Sequence, residues 1–188
     1  MAKVALNPIF EKVQGRVGDL VLKQVSGEMV MARLPDLSNV EPSLAQLETR
    51  QRFQAAALYG KTALAETTVR EAYVRAANER HKPLFSVPVA DFLNAPVVDE
   101  VNLSGYTGQA GETISVRAYD DFEVTNVTVS IREAGGQEVE SGAAVQNPPD
   151  SGRWVYTTHQ AVADASGVTV TATASDRPGN TGIKTAAK

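Results

Sequence analysis

The chain has 188 residues, a formal net charge of −4 and no cysteine. Its length suits one large domain or two small ones. The lack of cysteine excludes disulfides, thiolate nucleophiles and cysteine-ligated metals.

The opening Met1-Ala-Lys-Val-Ala-Leu-Asn-Pro-Ile-Phe carries an early lysine, but Asn7 and Pro8 interrupt its apolar run. No Sec signal is expected from such a segment. No stretch reaches the ~20 apolar residues that span a bilayer. The expectation is a soluble chain made in the cytoplasm that stays there, becomes virion-associated, or leaves by a non-classical route.

Two β-rich runs follow, Gly15 to Val25 and Gly27 to Leu34, around Ser26-Gly27. The spacing predicts a β-hairpin. Neither run is apolar on one face alone, so both faces of the ribbon need cover, and a bare hairpin is marginal in water. Residues 35–42 read as an irregular connector. Ser43 with Gln46 marks a helix start, and Phe53, Ala57, Gly60 and Leu64 make its apolar stripe. Gly60 signals close packing or a bend, since glycine costs about 1 kcal/mol against alanine in a helix. Thr68 with Glu71 marks a second start, with Val69, Ala72, Tyr73 and Ala76 as the stripe of a helix ending before Lys82-Pro83.

Three stretches of this half carry a resemblance: Gly15-Arg-Val-Gly-Asp-Leu-Val, Met31-Ala-Arg-Leu-Pro, and Ser43-Leu-Ala-Gln with Arg50-Gln-Arg-Phe. Together they resemble a group of uncharacterised bacterial and phage-associated proteins, over roughly residues 10–65. That resemblance implies no activity.

Beyond Pro96 the helical period gives way to short β-rich runs. They are Val97–Leu103, Thr113–Tyr119, Asn126–Ile131, Glu138–Gly142, Arg153–Thr158 and Val168–Ala174, with a last one near Gly182–Thr185. Seven short strands separated by turn signals predict a β-sandwich, with Trp154 packed between its sheets. Two motifs, Val116-Arg-Ala-Tyr-Asp-Asp-Phe-Glu-Val and Ala174-Ser-Asp-Arg-Pro-Gly-Asn-Thr, resemble bacterial and phage Ig-like repeats. Glu123 stands where that family usually has glycine. The resemblance covers about residues 97–188 and implies architecture, adhesion or display rather than catalysis.

Residues 1–94 hold 12 Lys+Arg against 10 Asp+Glu, and residues 95–188 hold 6 against 12. This asymmetry predicts a boundary near Asn94 and allows neighbouring copies to attract head to tail. The predicted fold is α+β. A β-hairpin plus a helical pair fills residues 1–94, and an all-β Ig-like sandwich fills residues 95–188.

Asp120, Asp121 and Asp176 are the carboxylates that fit a site. If their turns meet, they could hold Ca²⁺, which takes six to eight oxygen ligands. The competing reading is that each accepts local backbone N–H bonds in an Asx-type turn. His81 and His159 lie at no metal or triad spacing, and no nucleophile elbow, P-loop, zinc-protease or dinucleotide motif occurs. Gly15-x-x-Gly18 is too short to cradle phosphate. No enzyme and no resident cofactor are therefore expected. Basic residues of the helical pair alternate with Glu48, Glu66, Glu71 and Glu79, as on a solvated face, which argues against nucleic-acid binding.

The function expected is a structural protein that self-assembles through its N-terminal module and displays the Ig-like domain, as a filament subunit or as a virion decoration or fibre protein. Leu20, Leu22, Val30 and Met31 are the expected assembly contacts. The alternative is a monomeric adhesion module that binds carbohydrate or protein through its Ig-like loops.

Overall fold

The computed structural model describes residues 2–3 (backbone only), 15–25, 28–36 and 41–188. The Ser26-Gly27 turn, positions 37–40 of the connector, and the opening segment other than residues 2–3 lie outside the described residues. The fold is mixed α+β with antiparallel sheets. The chain divides into two compact units, residues 1–44 and 45–188.

In the first unit the expected hairpin is part of a four-stranded sheet. Its strands are β1 (Ala2–Lys3), β2 (Gly15–Val17), β3 (Leu20–Val25) and β4 (Glu28–Arg33), in the order β1-β4-β3-β2. The first β-rich run splits because Gly18 turns the chain at φ +58°, a left-handed conformation that glycine adopts without a Cβ penalty. Pairing Val17 with Leu20 and Leu22 with Met31 fixes the two faces. Because side chains alternate, Val17, Leu20, Leu22, Met29 and Met31 share one face with Gln24 and Arg33. Val21, Val25, Val30 and Ala32 share the other with Arg16, Lys23 and Glu28. Val30 is therefore on the face opposite the other three expected contacts. No described side chain of this unit's strands is fully buried; Val17 is 68% exposed and Leu20 39%.

The second unit opens with α1 (Leu44–Ala65), α2 (Thr67–Glu79) and α3 (Ser86–Leu93). Helix α1 starts beside Ser43, as expected, but its buried stripe is Ala56, Gly60 and Ala63 rather than one through Phe53, which is 55% exposed. Small residues are chosen there because α3 crosses closely. A Cβ on Gly60 would lie 3.3 Å from both Phe85 and Val89. Helix α2 has its N-cap at Glu66, two residues before the expected Thr68, with no side-chain capping bond; Thr68 instead donates to the Glu66 carboxylate at 3.1 Å. Its buried residues are Tyr73, Ala76 and Ala77. Helix α3, beyond the helix end expected before Lys82-Pro83, was not expected. Pro88 falls in the first turn, where the missing N–H has no intrahelical partner to lose.

Two four-stranded antiparallel sheets complete the unit. One contains β5 (Val97–Asn102), β6 (Thr113–Tyr119), β9 (Val145–Gln146) and β10 (Arg153–Thr157), ordered β5-β6-β10-β9. The other contains β7 (Val124–Arg132), β8 (Glu138–Ala143), β11 (Thr169–Asp176) and β12 (Thr181–Ala187), ordered β12-β11-β7-β8. Strict alternation lines one core from both sides. Ile114, Val116, Ala118, Trp154 and Tyr156 come from the first sheet, and Val127, Val129, Ile131, Val170, Ala172 and Ala174 from the second. Burying each larger apolar side chain contributes about 1.5–3 kcal/mol.

The compact units do not part near Asn94, where the charge asymmetry suggested. The helices share a unit with the two sheets because polar and aromatic contacts tie them together. Tyr73 and Phe122 have ring centroids 4.4 Å apart. Asn94 donates to Asp121 Oδ2 at 2.7 Å, and Arg80 donates to the Asp121 carbonyl.

Candidate functional site

Two inward-facing rows end on carboxylates. In β6 the row Ile114, Val116, Ala118 continues to Asp120, just past the strand. In β11 the row Val170, Ala172, Ala174 continues to Asp176, which is 4% exposed. The pairing with β7 shifts register between Ser175 and Asp176, leaving Thr125 of β7 as the extra residue of a β-bulge. Helix α3 supplies a third carboxylate, Asp91, which is fully buried. One oxygen from each of Asp91, Asp120 and Asp176 lies within 4.8 Å of the others.

Each carboxylate is held by one set of hydrogen bonds. Tyr73 donates to Asp91 Oδ2, and the Tyr59 hydroxyl lies 2.9 Å from that of Tyr73. The order of donation is therefore Tyr59 to Tyr73 to Asp91. Phe122 N–H and Glu123 N–H both donate to Asp120 Oδ2 at 3.2 Å. Gly179 N–H and Asn180 N–H donate to Asp176 Oδ1 at 2.8 and 2.6 Å, and Asn180 Nδ2 donates to Asp176 Oδ2 at 2.7 Å. Asp91 Oδ1 and Asp120 Oδ1 are buried and accept nothing.

The electrostatics follow from this arrangement. Burial pushes the Asp91 carboxyl up to about 7; the Tyr73 bond opposes that shift, and the charges of Asp120, Asp176 and Asp121 add to it. Asp120 is also raised, first by burial, against the pull of its backbone donors. Burial and the bonds to Asp91 and Tyr59 raise the Tyr73 hydroxyl, so it stays a donor. Among the described residues no Lys or Arg forms an ion pair with the three carboxylates. Arg177, the nearby cation, is committed to Glu123 at 2.7 Å.

Of the three aspartates expected to act together, the structure brings Asp120 and Asp176 into one group and leaves Asp121 out. Side-chain alternation explains this, since Asp121 has the opposite parity to the inward row and its carboxylate turns to Asn94. The Asx-type reading also holds locally, because Asp120 and Asp176 both accept backbone N–H bonds. Asp91 was missed. Its signal was a lone carboxylate inside the apolar octet Ser86-Val-Pro-Val-Ala-Asp-Phe-Leu.

No protein-family model matches this chain, and no curated protein matches it in sequence. Distantly similar solved structures include two that each cover about half of this chain. CopC from Methylosinus trichosporium OB3b is 14% identical over 48% of this chain and 87% of its own, with a TM-score of 0.35. A tetra-tandem repeat from the extending region of a large adhesion protein is 23% identical over 50% of this chain and 23% of its own, with a TM-score of 0.37. At these values neither carries an argument about family or function. No helix among the described residues is long and apolar enough to cross a membrane.

Proposed function

We infer that this chain is a non-catalytic structural protein, in which an Ig-like sandwich accompanies an N-terminal sheet that associates with a second copy of the chain. The Ig-like reading is supported by strand order. Relabelling β5 to β12 as A, B, C, C′, D, E, F and G turns the two sheets into A-B-E-D and G-F-C-C′, the arrangement of immunoglobulin sandwiches.

One observation carries the assembly reading. On one face of the N-terminal sheet Val17, Leu20, Leu22, Met29 and Met31 cluster beside Gln24 and Arg33, yet no described side chain of its strands is fully buried. A sheet needs a second layer over its apolar face. A copy of the same face supplies one by two-fold stacking, about 10 Å away. A virion decoration protein would use such a dimer contact, and a filament subunit would combine it with a second, heterologous one.

Mass photometry and negative-stain microscopy of the purified chain test the inference. Oligomers or filaments are expected. A strictly monomeric species at high concentration would remove self-assembly and favour a monomeric adhesion module.

A further inference from the structure

We propose that Asp91, Asp120 and Asp176 form a binding site for one hard divalent cation of the Ca²⁺ class, joining helix α3 to the ends of both sheets. The site goes beyond the assembly reading and stands independently of it.

Proximity of acidic residues alone would not carry this. The deciding feature is Asp91, which is fully buried with its Oδ1 lacking any hydrogen-bond partner. Asp120 Oδ1 is buried and equally orphaned. A buried, ionised carboxylate oxygen without a partner carries a desolvation penalty that only a proton or a bound cation relieves. Two such oxygens belonging to one three-carboxylate group point to a missing positive partner. Among the described residues no side-chain cation fills that role, and Arg177 is engaged by Glu123.

The remaining hydrogen bonds act as a scaffold. Tyr73 holds Asp91 by Oδ2, the Phe122 and Glu123 amides hold Asp120 by Oδ2, and Asn180 holds Asp176. Fixing one oxygen of Asp91 and of Asp120 leaves the other oriented and free, as outer-shell bonds do at metal centres.

The ligand chemistry selects the ion. All three groups are carboxylates, with no imidazole or sulfur, which suits hard cations rather than copper or zinc. Three carboxylate oxygens within 4.8 Å of one another are close enough to share one ion. Ca²⁺ tolerates irregular geometry, whereas Mg²⁺ demands a near-ideal octahedron and dehydrates reluctantly. Water completes the six to eight positions.

The test uses the full chain, stripped with EDTA and dialysed, with CaCl₂ and MgCl₂ as probes in calorimetric titration and thermal melting. One Ca²⁺ should bind per chain and raise Tm by about 5–10 °C at saturating concentration, with a smaller response to Mg²⁺. Asp91→Asn should lose both the binding heat and the Ca²⁺-dependent rise in Tm. Should Asp91→Asn fail to fold, Asp120→Asn, at the more exposed carboxylate, must lose the same response. A wild-type chain that shows neither heat nor Tm shift with millimolar Ca²⁺ would overturn the proposal. So would folded variants that respond as the wild type does.

Discussion

Asn180 caps the C-terminal end of α3 from the far end of the chain, its Nδ2 lying 3.2 Å from the Phe92 carbonyl. The same amide reaches the Asn94 carbonyl at 3.3 Å and Asp176 Oδ2 at 2.7 Å. The last carbonyls of a helix have no intrahelical partner, and here a loop between two strands supplies one. This contact holds α3 against the sheets and so places Asp91 beside Asp176. Asn180→Ala should therefore destabilise residues 45–188 by about 1–2 kcal/mol. Urea unfolding followed by tryptophan fluorescence measures it, since Trp154 reports on the core.

Glu112 organises the loop before β6. Its carboxylate accepts from the Thr107 hydroxyl and from the amides of Thr107, Gly108 and Gln109, the last three at 2.6, 3.0 and 3.0 Å. The Thr107 side-chain bond leads these in holding its pKa below the ordinary glutamate value. A carboxylate with a depressed folded pKa contributes stability above its unfolded pKa and loses it as pH falls through the folded value. The wild type should exceed Glu112→Gln in urea midpoint at about pH 7, and the gap should close towards about pH 3. A gap independent of pH would contradict this account.

Gly182 marks where β12 passes β5. A Cβ there would lie 1.9 Å from the Pro96 carbonyl oxygen, a backbone atom that cannot swing aside. Gly182→Ala should cost about 1–3 kcal/mol or more, read as a lowered Tm. Gly135→Ala is the control, since a Cβ at Gly135 meets nothing within 4 Å.

Much of the second unit could be read from alternation alone. The runs expected at 113–119 and 138–142 fall on β6 and β8 within a residue, because period-two burial and flanking turns both marked them. The helical half was harder, because the usual equation of large apolar residues with core failed. Phe53 is exposed while Ala56, Gly60 and Ala63 are buried, since the close approach of α3 demands small side chains. Helix α3 went unread, and with it the buried Asp91. The two strand-end carboxylates were visible from their turns, but choosing Asp120 over Asp121 needed the parity of the inward row. In the N-terminal sheet, splitting the apolar residues between faces needed the register, which set Val30 apart from Leu20, Leu22 and Met31.

Self-association through that sheet face is tested most directly by sedimentation velocity of the full chain across a concentration series. Leu22→Glu puts a charge among the apolar side chains of that face, and Lys23→Glu puts the same acidic side chain on the opposite one. The wild type and Lys23→Glu should form oligomers whose fraction rises with concentration, while Leu22→Glu stays monomeric. A wild type that remains monomeric throughout, or a Leu22→Glu variant that associates like the wild type, would contradict the account.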